Sequence, residues 1–128
     1  MNREKIMMDA DEIKRIIQLY FDGSYEGNQE KMDQVFHQAA HIYGHSQDGS
    51  LADTPRDAFV KRVGSRPADT PSFPREEEIL SIEFTGEHTA VARVKLRVFN
   101  TLFTDILSFM YLDGKWGVIA KLYSGVTI

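Results

Sequence analysis

The chain has 128 residues, 42% of them hydrophobic and 27% charged, with a formal net charge of −4, which is the composition of an ordinary globular protein and fits one domain over residues 1–128. Nucleic acid is disfavoured as a partner because its binding needs clustered lysines and arginines, and no such cluster occurs. The lack of cysteine excludes both a disulfide framework and thiolate chemistry.

The N-terminal segment predicts a mobile lead-in over Met1–Met8, followed by a helix. The lead-in has no long apolar core, so it does not predict a signal peptide, and no apolar run reaches the roughly 20 residues of a membrane span. We therefore expect a cytoplasmic protein. The helix is predicted to begin near Asp9 or Asp11, either of which can cap it, and to end at Gly23 or Gly27. Its apolar residues recur at helical spacing and form one buried stripe: Ile13, Ile16, Ile17, Tyr20 and Phe21.

Two further helices and a strand are predicted next. A short helix begins at an Asn28 cap and ends near His37, and its buried residues are Met32, Val35 and Phe36. The alternation in AHIYGH is typical of a strand in which His41, Tyr43 and His45 share one face. After a turn over residues 47–50, Thr54 caps a third helix with Pro55 at its first position, and the inner residues of this helix are Ala58, Phe59 and Val63.

The second half of the chain predicts a loop followed by β-structure. The loop from Gly64 to Pro74 holds three of the four prolines and is long enough for a lid or a dimer contact. A strand over residues 76–84 follows, with Leu80, Ile82 and Phe84 on one face, and then a turn at Gly86–Glu87. From Thr89 to Tyr123 three long strand-forming segments predict a meander, with turns at Asn100–Thr101 and Asp113–Gly114.

Alternation assigns the side chains of the meander to two faces. One face is apolar apart from Asp105, and we expect the helices to pack on it; its residues are Ala90, Ala92, Val94, Leu96, Val98, Phe103, Asp105, Leu107, Phe109 and Tyr111. A two-residue turn at Asn100–Thr101 places Leu96 opposite Asp105. The other face mixes the charges of Arg93, Lys95 and Arg97 with apolar groups, so we expect a second copy of the chain to cover it.

The position of the last strand depends on its turn. A two-residue turn at Asp113–Gly114 places Asp105 opposite Leu122. A three-residue turn that includes Lys115 places Asp105 opposite Tyr123 and diagonal to Lys121. The two registers put opposite sets of side chains on the helix-covered face, and the sequence leaves both open.

The order of these elements resembles the nuclear-transport-factor-2-like superfamily, whose relatives include ketosteroid isomerases, scytalone dehydratases and polyketide cyclases. Within it, the chain is most similar to the "putative lumazine-binding" group. The residues that carry the resemblance are Gly27, Met32 to His37, Asp48 to Leu51, Phe103 to Asp105, Leu112 to Trp116, and Lys121 to Tyr123. The resemblance implies an α+β cone, in which three N-terminal helices pack on a strongly bent, mainly antiparallel sheet around an internal pocket. It also implies a homodimer that forms through the outer sheet face.

Asp105 and Tyr20 are the leading candidates for functional residues. A carboxylate on an apolar, helix-covered face is expected to have a raised pKa, which suits a general acid or base, although a structural aspartate that accepts hydrogen bonds is the alternative. Tyr20 lies late on the first helix, and the resemblance to ketosteroid isomerases implies a hydroxyl that stabilises negative charge on a substrate oxygen. The alternative for Tyr20 is a core aromatic residue. The remaining ligand-binding candidates are Tyr43, Lys121 and Tyr123.

His45 is the second catalytic candidate. Ketosteroid isomerases carry their catalytic aspartate on the matching strand, nearest Gly44, and the lack of a carboxylate here disfavours steroid-isomerase chemistry. His45 is the neighbouring residue that can replace the base, although alternation turns it away if Ile42 points inward. The four histidines form no metal motif and no phosphate-cradling glycine loop occurs, so we expect neither a metal nor a cofactor.

Three functions remain open at this point. The first is a small-molecule binding protein whose apolar cone holds a flat, partly polar ligand that Tyr20 and Asp105 orient. The second is an enzyme of the isomerase, dehydratase or cyclase type, in which Asp105 or His45 moves a proton. The third is a structural dimer module whose cone is filled by its own side chains.

Overall fold

The computed structural model describes residues 3–66 and 72–128, which form three helices and six strands. The helices are α1 (Arg3–Glu26), α2 (Gln29–Asp33) and α3 (Arg56–Gly64), and the strands are β1 (Phe36–His45), β2 (Leu51–Pro55), β3 (Glu77–Phe84), β4 (Thr89–Val98), β5 (Thr101–Leu112) and β6 (Lys115–Thr127). The sheet has the order β2-β1-β6-β5-β4-β3, and only β1 and β6 pair in parallel. The predicted α+β fold, with helices on a mainly antiparallel sheet, is confirmed. None of the helices described is long and apolar enough to cross a membrane.

Helix α1 is longer than predicted. The lead-in is wrong for residues 3–8, which are helical, while residues 1 and 2 lie outside the described chain. Neither Asp9 nor Asp11 caps the helix, because both lie inside it; the Asp9 carboxylate instead accepts hydrogen bonds from Lys5 Nζ at 2.7 Å and Trp116 Nε1 at 3.2 Å. The predicted buried stripe is confirmed in full, and α1 ends before Gly27, whose φ of 65° is the left-handed conformation that terminates helices.

Helix α2 begins as predicted but is shorter. The side chain of Asn28 accepts a hydrogen bond from the backbone N–H of Lys31 and so caps the helix. The helix ends at Asp33 rather than near His37, because the chain here joins the sheet: Val35 O accepts a hydrogen bond from Val118 N at 2.9 Å. Val35 is nonetheless buried, as the helical pattern predicted.

Strand β2 was not predicted, and it occupies the segment in which a Thr54 cap was expected. It pairs antiparallel with β1, and Pro55 lies opposite His41 at its end. Proline is tolerated at the end of an edge strand because no N–H is needed there. Pro55 rather than Thr54 is the N-cap of α3. The helix buries Phe59, Val60 and Val63, whereas Ala58 is exposed, so its predicted place on the inner face is wrong.

The predicted lid or dimer contact between α3 and β3 falls largely on residues 67–71, which lie outside the described chain. The end of this loop packs on α1, since Phe73 is buried and its carbonyl accepts a hydrogen bond from Tyr25 Oη at 2.9 Å. Strand β3 then contains a register shift between Ile79 and Ser81. Because of this bulge, Leu80 leaves the face that it was predicted to share with Ile82 and Phe84, and it is 36% exposed.

The turn between β4 and β5 lies one residue earlier than predicted. It consists of Phe99 and Asn100, and Asp105 therefore pairs with Val94 rather than Leu96. Phe99 has a φ of 55°, and its ring lies 5.3 Å from that of Phe73, a contact that favours this position for the turn. The pairing differs from the prediction by two residues, an even number, so the predicted faces of both strands are kept.

A bulge in β6 decides which of its side chains face the helices. Next to the turn, Leu112 pairs with Lys115, so the two-residue turn is correct there. The register then shifts after the pair Phe109–Val118, and further along Asp105 pairs with Tyr123. Each of the two predicted registers thus holds in one half of the strand. Because one extra residue exchanges the faces, Lys121 joins Val118 on the inner side of the sheet.

Candidate functional site

A cavity of about 280 Å³ lies between the helices and the inner face of the sheet. Helix α1 contributes Tyr20 and Ser24 to its wall, helix α3 contributes Phe59 and Arg62, and Arg66 follows just after α3. The sheet provides the other lining residues: Leu96, Val98, Phe103, Lys121 and Tyr123. The wall therefore combines aromatic and aliphatic side chains with two hydroxyl groups from α1 and three cationic groups.

A buried hydrogen bond joins α1 to β5 at this cavity. Tyr20 Oη donates to Asp105 Oδ2 at 2.5 Å, although 85 residues separate the two in sequence. Their exposed fractions are 1% and 0%. Because the hydroxyl gives its hydrogen to the carboxylate, its oxygen keeps lone pairs that can accept a further hydrogen bond.

Lys121 is the second partner of Asp105. Its Nζ lies 3.9 Å from Asp105 Oδ2. The same ammonium lies 4.5 Å from the ring centroid of Phe59, 4.9 Å from that of Tyr20 and 5.8 Å from that of Tyr123. An ammonium over desolvated aromatic faces gains roughly 0.5–2 kcal/mol, so the rings as well as the carboxylate hold this charge in place.

Burial perturbs the acid–base behaviour of all three groups. It raises the pKa of Asp105, in the direction predicted, while Lys121 and the hydrogen bond from Tyr20 oppose the shift. Burial lowers the pKa of Lys121. The negative charge of Asp105 opposes this shift, and the positive charges of Arg66 and Arg62 add to it. Burial and the charge of Asp105 raise the pKa of Tyr20 well above its usual range, so the hydroxyl keeps its proton at neutral pH.

Asp105 itself does not line the cavity. It contacts two residues that do, Tyr20 and Lys121, and within the described chain its Oδ1 is buried without a hydrogen-bond partner. A molecule in the cavity therefore meets Asp105 only through these two side chains. In this geometry Asp105 is a positioning residue, which orients the tyrosine hydroxyl and the lysine ammonium.

Tyr123 reaches the cavity because Gly44 leaves space for its ring. A Cβ atom at Gly44 would lie only 2.2 Å from Tyr123 Cζ. The Tyr123 ring also packs edge-on against Phe103, with 6.1 Å between the centroids. Gly44, where the ketosteroid isomerase resemblance placed a catalytic aspartate, thus provides room for an aromatic wall.

Tyr43 and His45 lie on the opposite face of β1. Ile42 is 1% exposed and faces inward, so alternation turns Tyr43 and His45, one and three residues further along the strand, outward. Tyr43 and His45 line a surface groove together with Leu51 and Leu122, and this groove shares only Tyr123 with the lining of the cavity. The structure therefore brings together Tyr20, Asp105, Lys121 and Tyr123, but it does not bring Tyr43 and His45 into that group. Among residues 3–66 and 72–128, no cluster of three histidine or acidic side chains could hold a metal ion.

Two arginines of the cavity were not predicted. Arg66 Nη1 donates to the carbonyl of Ser24 at 2.5 Å, and its guanidinium lies 5.8 Å from the Phe99 ring centroid. The Arg62 guanidinium lies 5.6 Å from the ring centroid of Phe59. The spacing of Phe59 and Arg62, three residues apart, indicates one helix face and was the signal available in the sequence. Which face of α3 meets the sheet depends on tertiary packing, which the sequence pattern did not specify.

The fold and the cavity define the class of protein: this is the cone of the nuclear-transport-factor-2-like superfamily, with helices and a curled sheet around an internal space. The model of the family described as "Putative lumazine-binding" matches residues 8–124. The chain belongs to that family.

Several solved structures share the fold of this chain. An NTF2-like protein of unknown function from Shewanella baltica OS155 has a TM-score of 0.84 and 22% identity, over 95% of this chain and 97% of that one. Another, from Methylobacillus flagellatus KT, has a TM-score of 0.78 and 28% identity, over 93% of each chain. A cystatin-like domain from Nostoc punctiforme PCC 73102 has a TM-score of 0.73 and 14% identity, over 91% of this chain and 76% of that one. No curated protein matches the chain. Since one fold serves many functions, the function has to be argued from the site.

Proposed function

We propose that the protein binds a small, flat, partly polar organic molecule in the cavity between its helices and its sheet. The observation that carries the proposal is the cavity itself, whose apolar wall surrounds a few polar groups held by a buried network. This combination is typical of small-molecule sites. Membership of a family on a ligand-binding fold supports the same function, and an internal space of this size argues against a cone filled by its own side chains.

The size of the cavity favours a ligand of one or two rings. Ligand sites generally have volumes of about 300–1,000 Å³, and a cavity of about 280 Å³ lies just below that range. Phe59, Leu96 and Phe103 offer apolar contacts to the faces of a ring. A flat molecule gains from such contacts without the entropic loss that a flexible chain suffers on binding.

The network around Asp105 suits the polar edge of such a ligand. The Tyr20 hydroxyl oxygen accepts a hydrogen bond, and the Lys121 ammonium donates one, so the two offer complementary contacts on one wall. Asp105 holds both side chains before the ligand arrives. This preorganisation lowers the cost of binding because fewer side chains have to be ordered.

A ligand-observed NMR screen with one- and two-ring compounds tests the proposal. The Val98→Phe variant places a larger side chain in the cavity wall, and Val91→Phe makes the same change on the outer face of the same strand. We expect one set of compounds to bind the wild type and Val91→Phe and to lose binding to Val98→Phe. Equal binding to all three proteins would mean that the compounds bind elsewhere.

Proton transfer by an isomerase, dehydratase or cyclase is the second candidate function. The raised pKa of Asp105 and its hydrogen bond with Tyr20 favour it. Because Asp105 does not line the cavity, a substrate proton would pass to the Tyr20 oxygen while Tyr20 passes its own proton to Asp105. A ¹³C NMR titration of the Asp105 carboxyl tests this function, and a pKa at or below the ordinary aspartate value would contradict it.

We also propose that the outer face of the sheet forms a homodimer interface. Ile106, Leu122 and Val126 point outward and are 39%, 46% and 64% exposed. The same face carries basic residues on β4 and acidic residues on β3. A two-fold axis would place the basic residues of one protomer near the acidic residues of its partner. Sedimentation velocity should find a dimer at micromolar concentration, and a monomer would contradict this proposal.

A further inference from the structure

We propose that the ligand of this cavity carries an oxyanion, either a carboxylate or a phosphate monoester, which Lys121, Arg62 and Arg66 bind while the flat body of the ligand lies on the apolar wall. This inference rests on the proposed function, because it names the chemical class of the molecule that the cavity binds.

The cavity has an excess of positive charge. Of its ten lining residues three are cationic and none is acidic. Within the described chain, the one carboxylate in contact with these cations is Asp105, which lies beside Lys121. If that pair is neutral overall, the charges of Arg62 and Arg66 remain, and both arginines are near enough to lower the pKa of Lys121 by repulsion. Lys121 is buried and Arg66 is half-buried, so an anion that replaces the lost water stabilises both, and the exposed Arg62 adds a further positive charge.

The ammonium of Lys121 gives the most direct support. The side chain is only 8% exposed, yet it lines the cavity. Its contact with Asp105 is 3.9 Å long, whereas charge-assisted N–H···O bonds are about 2.7–2.9 Å. No hydrogen bond from this ammonium to another described residue is present. Since an ammonium has three donors, a buried group aimed into a cavity still has donors to offer to a ligand.

The two arginines are arranged to complete the site. Arg66 is held by its hydrogen bond to the Ser24 carbonyl and by the ring of Phe99, and Arg62 is held over the ring of Phe59. Neither forms an ion pair with a described carboxylate. A guanidinium has five donors in a planar fork that fits a carboxylate or a phosphate with two parallel hydrogen bonds. Most of these donors remain available on both residues.

Isothermal titration calorimetry with three matched compounds tests the inference: 2-naphthoate, its neutral counterpart 2-naphthamide, and 2-naphthyl phosphate. We expect at least one of the two anions to bind the wild type about tenfold tighter than the amide, a difference of about 1.4 kcal/mol. Tighter binding of the naphthoate assigns the carboxylate, and tighter binding of the phosphate assigns the phosphate monoester; either result supports the inference.

Variants identify the residues that cause the tighter binding of an anion. Lys121→Met and Arg66→Gln should each weaken the binding of the preferred anion about tenfold and leave the amide within about twofold, since they remove a charge-assisted hydrogen bond. Lys14→Met and Arg15→Gln make the same charge changes on the exposed side of α1, away from the cavity and from the proposed dimer interface, and should have no such effect. Arg66→Gln keeps the test valid if Lys121→Met folds poorly.

Two outcomes would overturn the inference, and they differ in what they imply for the proposed function. If the amide and both anions bind the wild type equally, the ligand class is wrong, but the cavity still binds small molecules. If none of the three compounds binds, the inference fails. The proposed function fails with it only if the NMR screen also finds no compound that binds the wild type and loses its binding in Val98→Phe.

Discussion

The hydrogen bond between Tyr20 and Asp105 allows a sharp test of the buried network. Tyr20→Phe removes one hydroxyl and leaves the Asp105 carboxylate without a hydrogen-bond donor among the described residues, since its Oδ1 already has none. A hydrogen bond to a charged group contributes about 1.5–3 kcal/mol, and a stranded buried acceptor adds to the loss. We expect the free energy of unfolding to fall by about 2–3 kcal/mol at pH 7.

Urea and thermal unfolding, followed by circular dichroism, measure this change. With about 2.1 cal/mol/K of unfolding entropy per residue, a chain of 128 residues should lose roughly 7–11 °C in Tm. Tyr25→Phe is a matched control, because the Tyr25 hydroxyl donates to a neutral carbonyl at 2.9 Å in a partly buried place. The control should lose about 1 kcal/mol or less.

The loss in Tyr20→Phe should also depend on pH. The hydroxyl opposes the rise in the pKa of Asp105 because it stabilises the ionised form. Its contribution is therefore largest where Asp105 is ionised, and the loss should shrink as pH falls and the carboxyl of the variant, whose pKa is raised further without the hydroxyl, takes up a proton. A loss no larger than that of Tyr25→Phe, or one independent of pH, would refute the view that Tyr20 donates to an ionised Asp105.

Three further predictions concern the residues that support the site. Burial raises the pKa of Asp105 in the folded protein, so the folded state binds more protons than the unfolded state and loses stability as pH rises above the usual aspartate range. The free energy of unfolding of Asp105→Asn, measured with urea, should therefore rise relative to that of the wild type from pH 4 to pH 7, and a difference that stays constant over this range would contradict the prediction. Gly44→Ala forces a Cβ against the Tyr123 ring and should cost about 1–3 kcal/mol with altered Tyr123 ring signals in NMR, whereas Gly117→Ala, whose Cβ would have 3.7 Å to its nearest neighbour, should leave those signals in place. Asn28→Ala removes the cap of α2 and should lower stability by about 1 kcal/mol in thermal unfolding, while Asn28→Ser should retain most of it.

The burial of a side chain could be predicted from the sequence wherever it depends only on the helical or strand periodicity of the apolar residues. The stripe of α1 placed Tyr20 in the core, and the alternation of β5 placed Asp105 on the helix-covered face. The hairpin before Asp105 was misplaced by one residue, but because the resulting register error was even, the face of Asp105 was unaffected. A register error of an even number of residues leaves every side chain of the strand on its predicted face, so the periodic pattern still assigns the faces correctly.

Features that depend on tertiary contacts were not predictable in the same way. The bulge in β6 lies at Ile119, and Gly117, two residues before it, does not by itself specify a register shift, yet the bulge brings Lys121 to the cavity. Strand β2 is short, half exposed and ends in proline, so its local pattern is weak, and it forms because β1 offers an edge to pair with. Arg62 and Arg66 resemble ordinary surface charges until the packing of α3 against the sheet is known.

Native mass spectrometry of the freshly purified protein, repeated after denaturation, tests the central claim most directly. We expect a mass excess on the wild type that disappears on denaturation, and no excess on Val98→Phe, whose larger side chain occupies the space between helices and sheet. The same bare mass for the wild type under both conditions, with none of the screened one- and two-ring compounds adding to it, would contradict the claim that this cavity holds a small molecule.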